Sequence, residues 1–185
     1  MDDRDRIFLE KQVDFDIRPG YIWTPVRTKP RQEKKLAEYC IANSIEEYLP
    51  LRKSVRRYGR KNFEFQVPMF SGYIFCRISQ DSFQRLILSK AYFYRIQMDE
   101  MLEKVLVEEL KSIRMMEQLT RESMDVVVRP EIVEGTLVNV KKGPFRGISG
   151  IVTRRKGKTE ITVNIEILGQ SVTAKIDIED LEINQ

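Results

Sequence analysis

At 185 residues, 42% of them hydrophobic and 32% charged, the chain has the size and balance of one large or two small globular domains. No apolar run approaches the roughly 20 residues of a membrane helix, and residues 1–20, with six acidic and four basic side chains, resemble neither a secretory signal nor a transit peptide, so a cytoplasmic protein without membrane contact is predicted. Histidine is absent, as are Cys-x-x-Cys pairs, Gly-x-x-x-x-Gly-Lys-Ser/Thr loops and Gly-x-Gly-x-x-Gly turns; this removes the usual triads, zinc sites and nucleotide sites and predicts a non-enzyme with no cofactor and no metal.

In chain order, Tyr21 to Thr28 alternates as a strand. Pro30 opens a helix to about Ala42, with Thr28 as its cap and Leu36, Ala37, Cys40 and Ile41 on one apolar face. Tyr48 to Val55 and Asn62 to Val67 read as strands joined by a basic loop, and Gly72 to Ile78 as a third strand. Ser79 caps a helix over 80–90, Tyr92 to Gln97 is a strand, and Met101 to Leu119 carries the 3.6-residue apolar stripe of an amphipathic helix. Residues 120–134 lose that period and contain Pro130, the features of a linker, with Val126 to Val128 a short strand inside it. Strands follow near 136–141, 148–155, 159–167 and 171–176. Between the first two of these, Gly143-Pro-Phe-Arg-Gly147 forms a turn. Cys40 and Cys76 read as small buried hydrophobes.

Two segments carry functional signals. Arg27 to Lys61 holds eleven basic against four acidic residues, and Arg56-Arg-Tyr-Gly-Arg-Lys-Asn-Phe63 interleaves aromatics with cations, as a phosphate-contacting hairpin tip would; a solvated loop fits the same charges. Gly72-Tyr-Ile-Phe-Cys-Arg-Ile78 is apolar on both faces, with Ile74, Cys76 and Ile78 opposite Tyr73 and Phe75. Either the chain's own helices cover both faces, or Tyr73 and Phe75, with Phe70 and Met69, form an exposed patch for a partner. Two or three helices do not easily cover both faces of such a sheet, which favours the patch.

Tyr21-Ile-Trp-Thr-Pro-Val-Arg-Thr-Lys-Pro-Arg-Gln-Glu-Lys-Lys35 and Phe70-Ser-Gly-Tyr-Ile-Phe75 resemble the opening strand and helix and the Phe-Pro-Gly-Tyr strand of the NusG family of transcription factors. Lys142-Gly-Pro-Phe-Arg-Gly-Ile-Ser-Gly-Ile-Val152 resembles a KOW motif, and Ile167-Leu-Gly-Gln-Ser-Val-Thr-Ala-Lys-Ile-Asp177 resembles the family's terminal segment. The resemblance spans about residues 21–183.

It implies an α+β chain: an acidic leader over 1–19, an NGN domain over 20–119 with an antiparallel sheet flanked by helices, a linker over 120–134, and an SH3-like five-stranded KOW barrel over 135–185. It further implies a monomeric elongation or antitermination factor that binds the clamp helices of the RNA polymerase largest subunits through Phe70, Tyr73 and Phe75. Arg27, Arg31, Arg56, Arg57, Arg60 and Lys61 would face DNA at the transcription bubble, with Tyr58 placed to stack on an unpaired base, and Ile167 and Leu168 would meet a small-subunit ribosomal protein or Rho. Leu168 in place of an aromatic, Ser71 in place of proline and the added leader depart from the common pattern, and point to a specialised, RfaH-like or operon-specific paralogue as readily as to the housekeeping factor. A ribosome- or RNA-associated KOW protein is the alternative. The β-branched content of 148–176 predicts that the KOW segment stays in strands and does not form a helical hairpin.

Overall fold

The computed structural model describes residues 7–8, 11–58, 61–120, 126–130, 137–140, 146–155, 158–175 and 181–183. It divides the chain into two compact units, Met1–Val107 and Glu108–Gln185. The division falls inside the helix Glu100–Thr120.

The first unit is built on a four-stranded antiparallel sheet: β1 (Ile22–Thr28), β2 (Glu46–Tyr48), β5 (Tyr73–Ile78) and β6 (Tyr92–Arg95), in the order β2-β5-β1-β6. The register sets Ile22 opposite Ile78 and Val26 opposite Ile74, while Trp23 faces Arg77 and Arg27 faces Tyr73. Because side chains alternate across a strand, the first pairs share one face and the second pairs the other. On the first face Val26, Ile74, Cys76 and Ile78 belong to one core with Leu36, Ala37 and Cys40 of α1 (Glu33–Ala42) and Leu86 of α2 (Gln80–Leu86). Each large apolar side chain sealed there contributes about 1.5–3 kcal/mol. Cys40 and Cys76 are free and buried in this core, their sulfurs 4.0 Å apart, and burial, with the Cys40 contact second, pushes the Cys76 thiol well up.

Three elements differ from their expected bounds for local reasons. Helix α1 starts at Glu33, not at Pro30, because Gln32 donates to the Lys29 carbonyl in a turn that holds Arg31 at φ 60°. Thr28 does not cap it; its hydroxyl donates to the Lys29 carbonyl instead. The expected strand 48–55 is split at Leu49-Pro50 into β2 and β3 (Leu51–Tyr58), which pairs only with β4 (Lys61–Pro68) in a separate ribbon. Helix α2 has the expected Ser79 cap, in a reciprocal box with Ser82, but ends at Leu86 because Ser89 turns back to the Leu86 carbonyl. Asp99 caps α3 (Glu100–Thr120) by accepting from the Leu102 amide, and the long apolar stripe buries Leu106, Val107, Leu110, Ile113 and Met116.

The second unit contains β7 (Val126–Pro130), β8 (Leu137–Val140), β9 (Ser149–Arg155), β10 (Lys158–Ile165), β11 (Gln170–Lys175) and β12 (Leu181–Ile183), in one antiparallel sheet of order β12-β8-β9-β10-β11-β7. Within 148–176 the described residues form strands at Ser149–Arg155, Lys158–Ile165 and Gln170–Lys175 with the 3-10 turn Glu166–Leu168 between the last two, in keeping with the β-branched content. Part of the expected linker is strand too, since β7 pairs with β11, and β12 adds a pairing with β8 that the expected strands did not include. Gly147 (φ 91°) and Gly169 (φ 58°) occupy the left-handed region their turns require. Gly143 and Pro144 lie outside the described residues.

Candidate partner-binding surfaces

The second face of the first sheet carries the aromatic residues, and the structure sorts them in a way the sequence did not. Phe70 and Phe75 are 0% exposed. Their rings meet edge to face at 5.6 Å between centroids; Phe75 is 6.4 Å from Tyr48, Tyr48 is 5.2 Å from Phe15, and Phe15 is 5.4 Å from Trp23. The expectation that Phe70 and Phe75 form an uncovered patch is corrected: they are core. The sequence reading counted only helices as cover; here Phe70 and Phe75 also pack on each other and Phe75 on Tyr48, and the leader adds Phe15 against Tyr48 and Trp23.

Tyr73 is half-exposed and sits at the open end of this face. The Arg27 guanidinium lies 4.6 Å from its ring centroid and donates to the Ser71 carbonyl at 3.4 Å. The Tyr73 and Tyr94 hydroxyls are 3.5 Å apart, and the Tyr94 ring is 5.3 Å from Phe93. Burial first, and then the Tyr94 hydroxyl, pushes the Tyr73 phenol above its ordinary value. Phe93 and Tyr94 are among the exposed large residues of the unit, so the accessible aromatic patch is Tyr73, Phe93 and Tyr94. Gly72 makes this corner feasible: its φ is +82°, a Cβ there would stand 2.7 Å from Arg27 Nη1, and its amide donates to the buried Glu33 Oε1 at 2.6 Å.

The described leader residues pack against the same sheet. Phe8 joins the core of the first face, Lys11 Nζ donates to the carbonyl and to Oε1 of Glu47 on edge strand β2, and Phe15 reaches the second face. Arg77, buried on that face, donates through Nη1 to the Asp16 carbonyl at 2.7 Å and pairs through Nη2 with Glu46. Arg18 bridges Asp14 and Glu46 at 2.6 and 3.1 Å. The Asp16 amide first, and Arg18 second, hold the Asp14 carboxyl below its usual value.

The expected basic residues lie on several elements. Arg27 belongs to the Tyr73 corner, Arg31 is exposed before α1, and Lys61 is exposed at the start of β4. Arg56, Arg57 and Tyr58 lie in β3, registered opposite Phe63, Asn62 and Lys61, with their side chains outside the described set; Arg60 is outside the described residues altogether. On β4, Phe63 and Phe65 are 45% and 41% exposed and share one face of the ribbon. That face had a legible signal in the Phe-Glu-Phe alternation. Tyr94 and Phe15 had none, because only tertiary packing brings them to Tyr73 and Tyr48. In the second unit, Ile167 and Leu168 form a half-buried 3-10 turn, Glu166–Leu168, between β10 and β11. Among the described residues no helix is long and apolar enough to cross a membrane, and no cluster of metal-ligating side chains is present.

Residues 21–116, just over half of the chain, match the family model described as transcription termination factor NusG. A solved structure concerned with domain interaction in Thermotoga maritima NusG is 16% identical, with a TM-score of 0.47, covering 89% of this chain and 98% of the other. The MjSpt4:Spt5 complex in conformation A is 20% identical with a TM-score of 0.27, covering 89% and 99%; in conformation B the values are 17%, 0.30, 88% and 96%. Likeness at these scores carries no weight of its own. No curated protein matches the chain.

Proposed function

Because the chain belongs to the NusG family, we propose that it is a transcription elongation factor whose first unit docks on the clamp helices of bacterial RNA polymerase and thereby alters pausing and termination. The single observation that carries the docking mode is the exposed Tyr73–Tyr94 pair under Arg27, within the matched residues. Aromatic and arginine side chains concentrate interface energy because they bury large, rigid area and offer a polar handle. The Tyr73 amide donates to the Phe70 carbonyl at 3.1 Å. The protein works by binding, without catalysis, in the cytoplasm where polymerase is found.

Tyr73→Ala and Tyr94→Ala should each weaken binding to core polymerase by about 2 kcal/mol, roughly 30-fold, with the melting transition retained. Core polymerase that fails to bind the wild-type chain would end this reading, and capture of structured RNA in its place would favour a ribosome- or RNA-associated protein.

In this proposal the β3–β4 ribbon meets DNA at the transcription bubble. Phe63 and Phe65 offer stacking platforms, Arg56, Arg57, Tyr58 and Lys61 belong to the same ribbon by sequence, and Arg31 and Arg60 are further candidates for the contact. Replacing both phenylalanines with alanine should cost about 1–3 kcal/mol per stacked base in single-stranded DNA binding, and the affinity of the intact chain should fall steeply with salt. A salt-independent affinity untouched by the double substitution would remove the hairpin from the DNA contact.

Closure of the six-stranded sheet into an SH3-like KOW barrel is part of the same reading. Ile167 and Leu168, at its 3-10 turn, are the proposed knob for a second protein such as a small-subunit ribosomal protein or Rho.

A further inference from the structure

We propose that the first unit holds a pocket for one nucleotide of a single strand, separate from the β3–β4 ribbon, with the base against Tyr21 and the phosphate on Arg95. A cavity of about 330 Å³ opens where Ile22 and Ile78 end the β1–β5 pairing, and Tyr21, Gln80, Phe83 and Arg95 stand around it. Its size is at the lower end of the roughly 300–1,000 Å³ of ligand pockets, so it has room for one ring system and its substituent but not for a helix. The register sets Arg95 opposite Val26 on the first face of the sheet and Tyr94 opposite Arg27 on the second. The pocket and the Tyr73–Tyr94 corner are therefore different surfaces.

The walls select the ligand. The Arg95 guanidinium lies 4.2 Å from the Phe83 ring centroid, and Tyr92 meets Phe83 edge to face at 6.3 Å, so the cation is held on an aromatic stack. Among the described residues no carboxylate pairs with half-buried Arg95, whereas Arg77, Arg85 and Arg114 each hold an acid. A guanidinium placed in this way favours an anion, and phosphate oxygens match its fork of donors. Tyr21 is 45% exposed, and among the described residues no other ring meets it, which leaves a flat face for a base. The exposed Gln80 amide, both donor and acceptor, serves a base edge or a sugar hydroxyl, while the Ser79 hydroxyl is already engaged by the Ser82 amide. A carboxylate alone would leave the Tyr21 ring and most of the volume unused, which favours a nucleotide over an acidic side chain.

Adenosine 5′-monophosphate titrated into the full chain should shift the NMR signals of the Tyr21 and Gln80 amides with a Kd of about 1 mM, the scale of one stacked ring and one charge contact. Arg95→Gln should abolish the response, Arg95→Lys should keep part of it, and Tyr21→Ala should weaken binding about tenfold. Replacing Phe63 and Phe65 together with alanine should leave the response intact, which separates this pocket from the ribbon. Adenosine without its phosphate shifting the same amides equally well would remove Arg95 from the contact and overturn the proposal. N-acetylglutamate binding as tightly as the nucleotide would overturn it in favour of an acidic-peptide site, and silence of both amides would end it outright. Should Arg95→Gln unfold the chain, Tyr21→Ala decides, since its ring is exposed: an unchanged affinity there refutes the pocket.

Discussion

Truncating Phe75 to alanine should destabilise the first unit by about 3–5 kcal/mol, and Phe70→Ala should do nearly the same. Both rings are fully buried and meet edge to face, and Phe75 also adjoins Tyr48, so removal leaves a cavity that packed neighbours refill only in part. Chemical denaturation of each variant checks this. A loss below about 1 kcal/mol would mean the rings are not core, and would return them to the role that the sequence resemblance assigned. Any loss of polymerase binding in these variants should follow the loss of fold, in contrast with Tyr73→Ala, where binding falls and stability holds.

Arg77→Ala is the second large effect, expected to cost about 2–4 kcal/mol. Arg77 is a buried cation in a central strand whose guanidinium ties Asp16 of the leader and Glu46 of β2 to the Trp23 ring. Glu46 is about half exposed, so part of its charge returns to water when the partner goes, which keeps the cost from the upper end for buried pairs. Arg77→Met, close in volume, separates packing from polar loss. It should recover part of the stability yet still raise the hydrogen exchange of residues 14–18. An alanine variant as stable as wild type with an unchanged leader would show that Arg77 holds neither.

Much of the scaffold was legible before any coordinates. Alternation placed β1, β4, β5, β6 and most strands of the second unit, and the apolar stripe placed α3 almost to its ends. Those signals are local: period 2 and period 3.6 are set by backbone geometry within one element. The errors fell where a neighbour decides. Pro50 splits one expected strand, the residues after it pairing with β4 in a separate ribbon, whereas the short strand expected at Val126 to Val128 is present as β7, paired with β11. The candidate site divided in the same manner. Tyr73 stood out in sequence, but its partners Arg27 and Tyr94 come from two other strands, 46 and 21 residues away.

The amino-acid order by itself determined that Gly72 to Ile78 is a strand with two apolar faces, that the chain carries no histidine-based chemistry, and that residues 21–116 have the pattern of the NusG family. Only the tertiary structure decided which aromatic rings of that strand are core and which stay accessible. Burial is a property of what lies over a side chain, and Phe75 is closed in by Phe70 and Tyr48, the latter itself met by Phe15 of a leader whose composition gave no sign that it packs on the sheet at all.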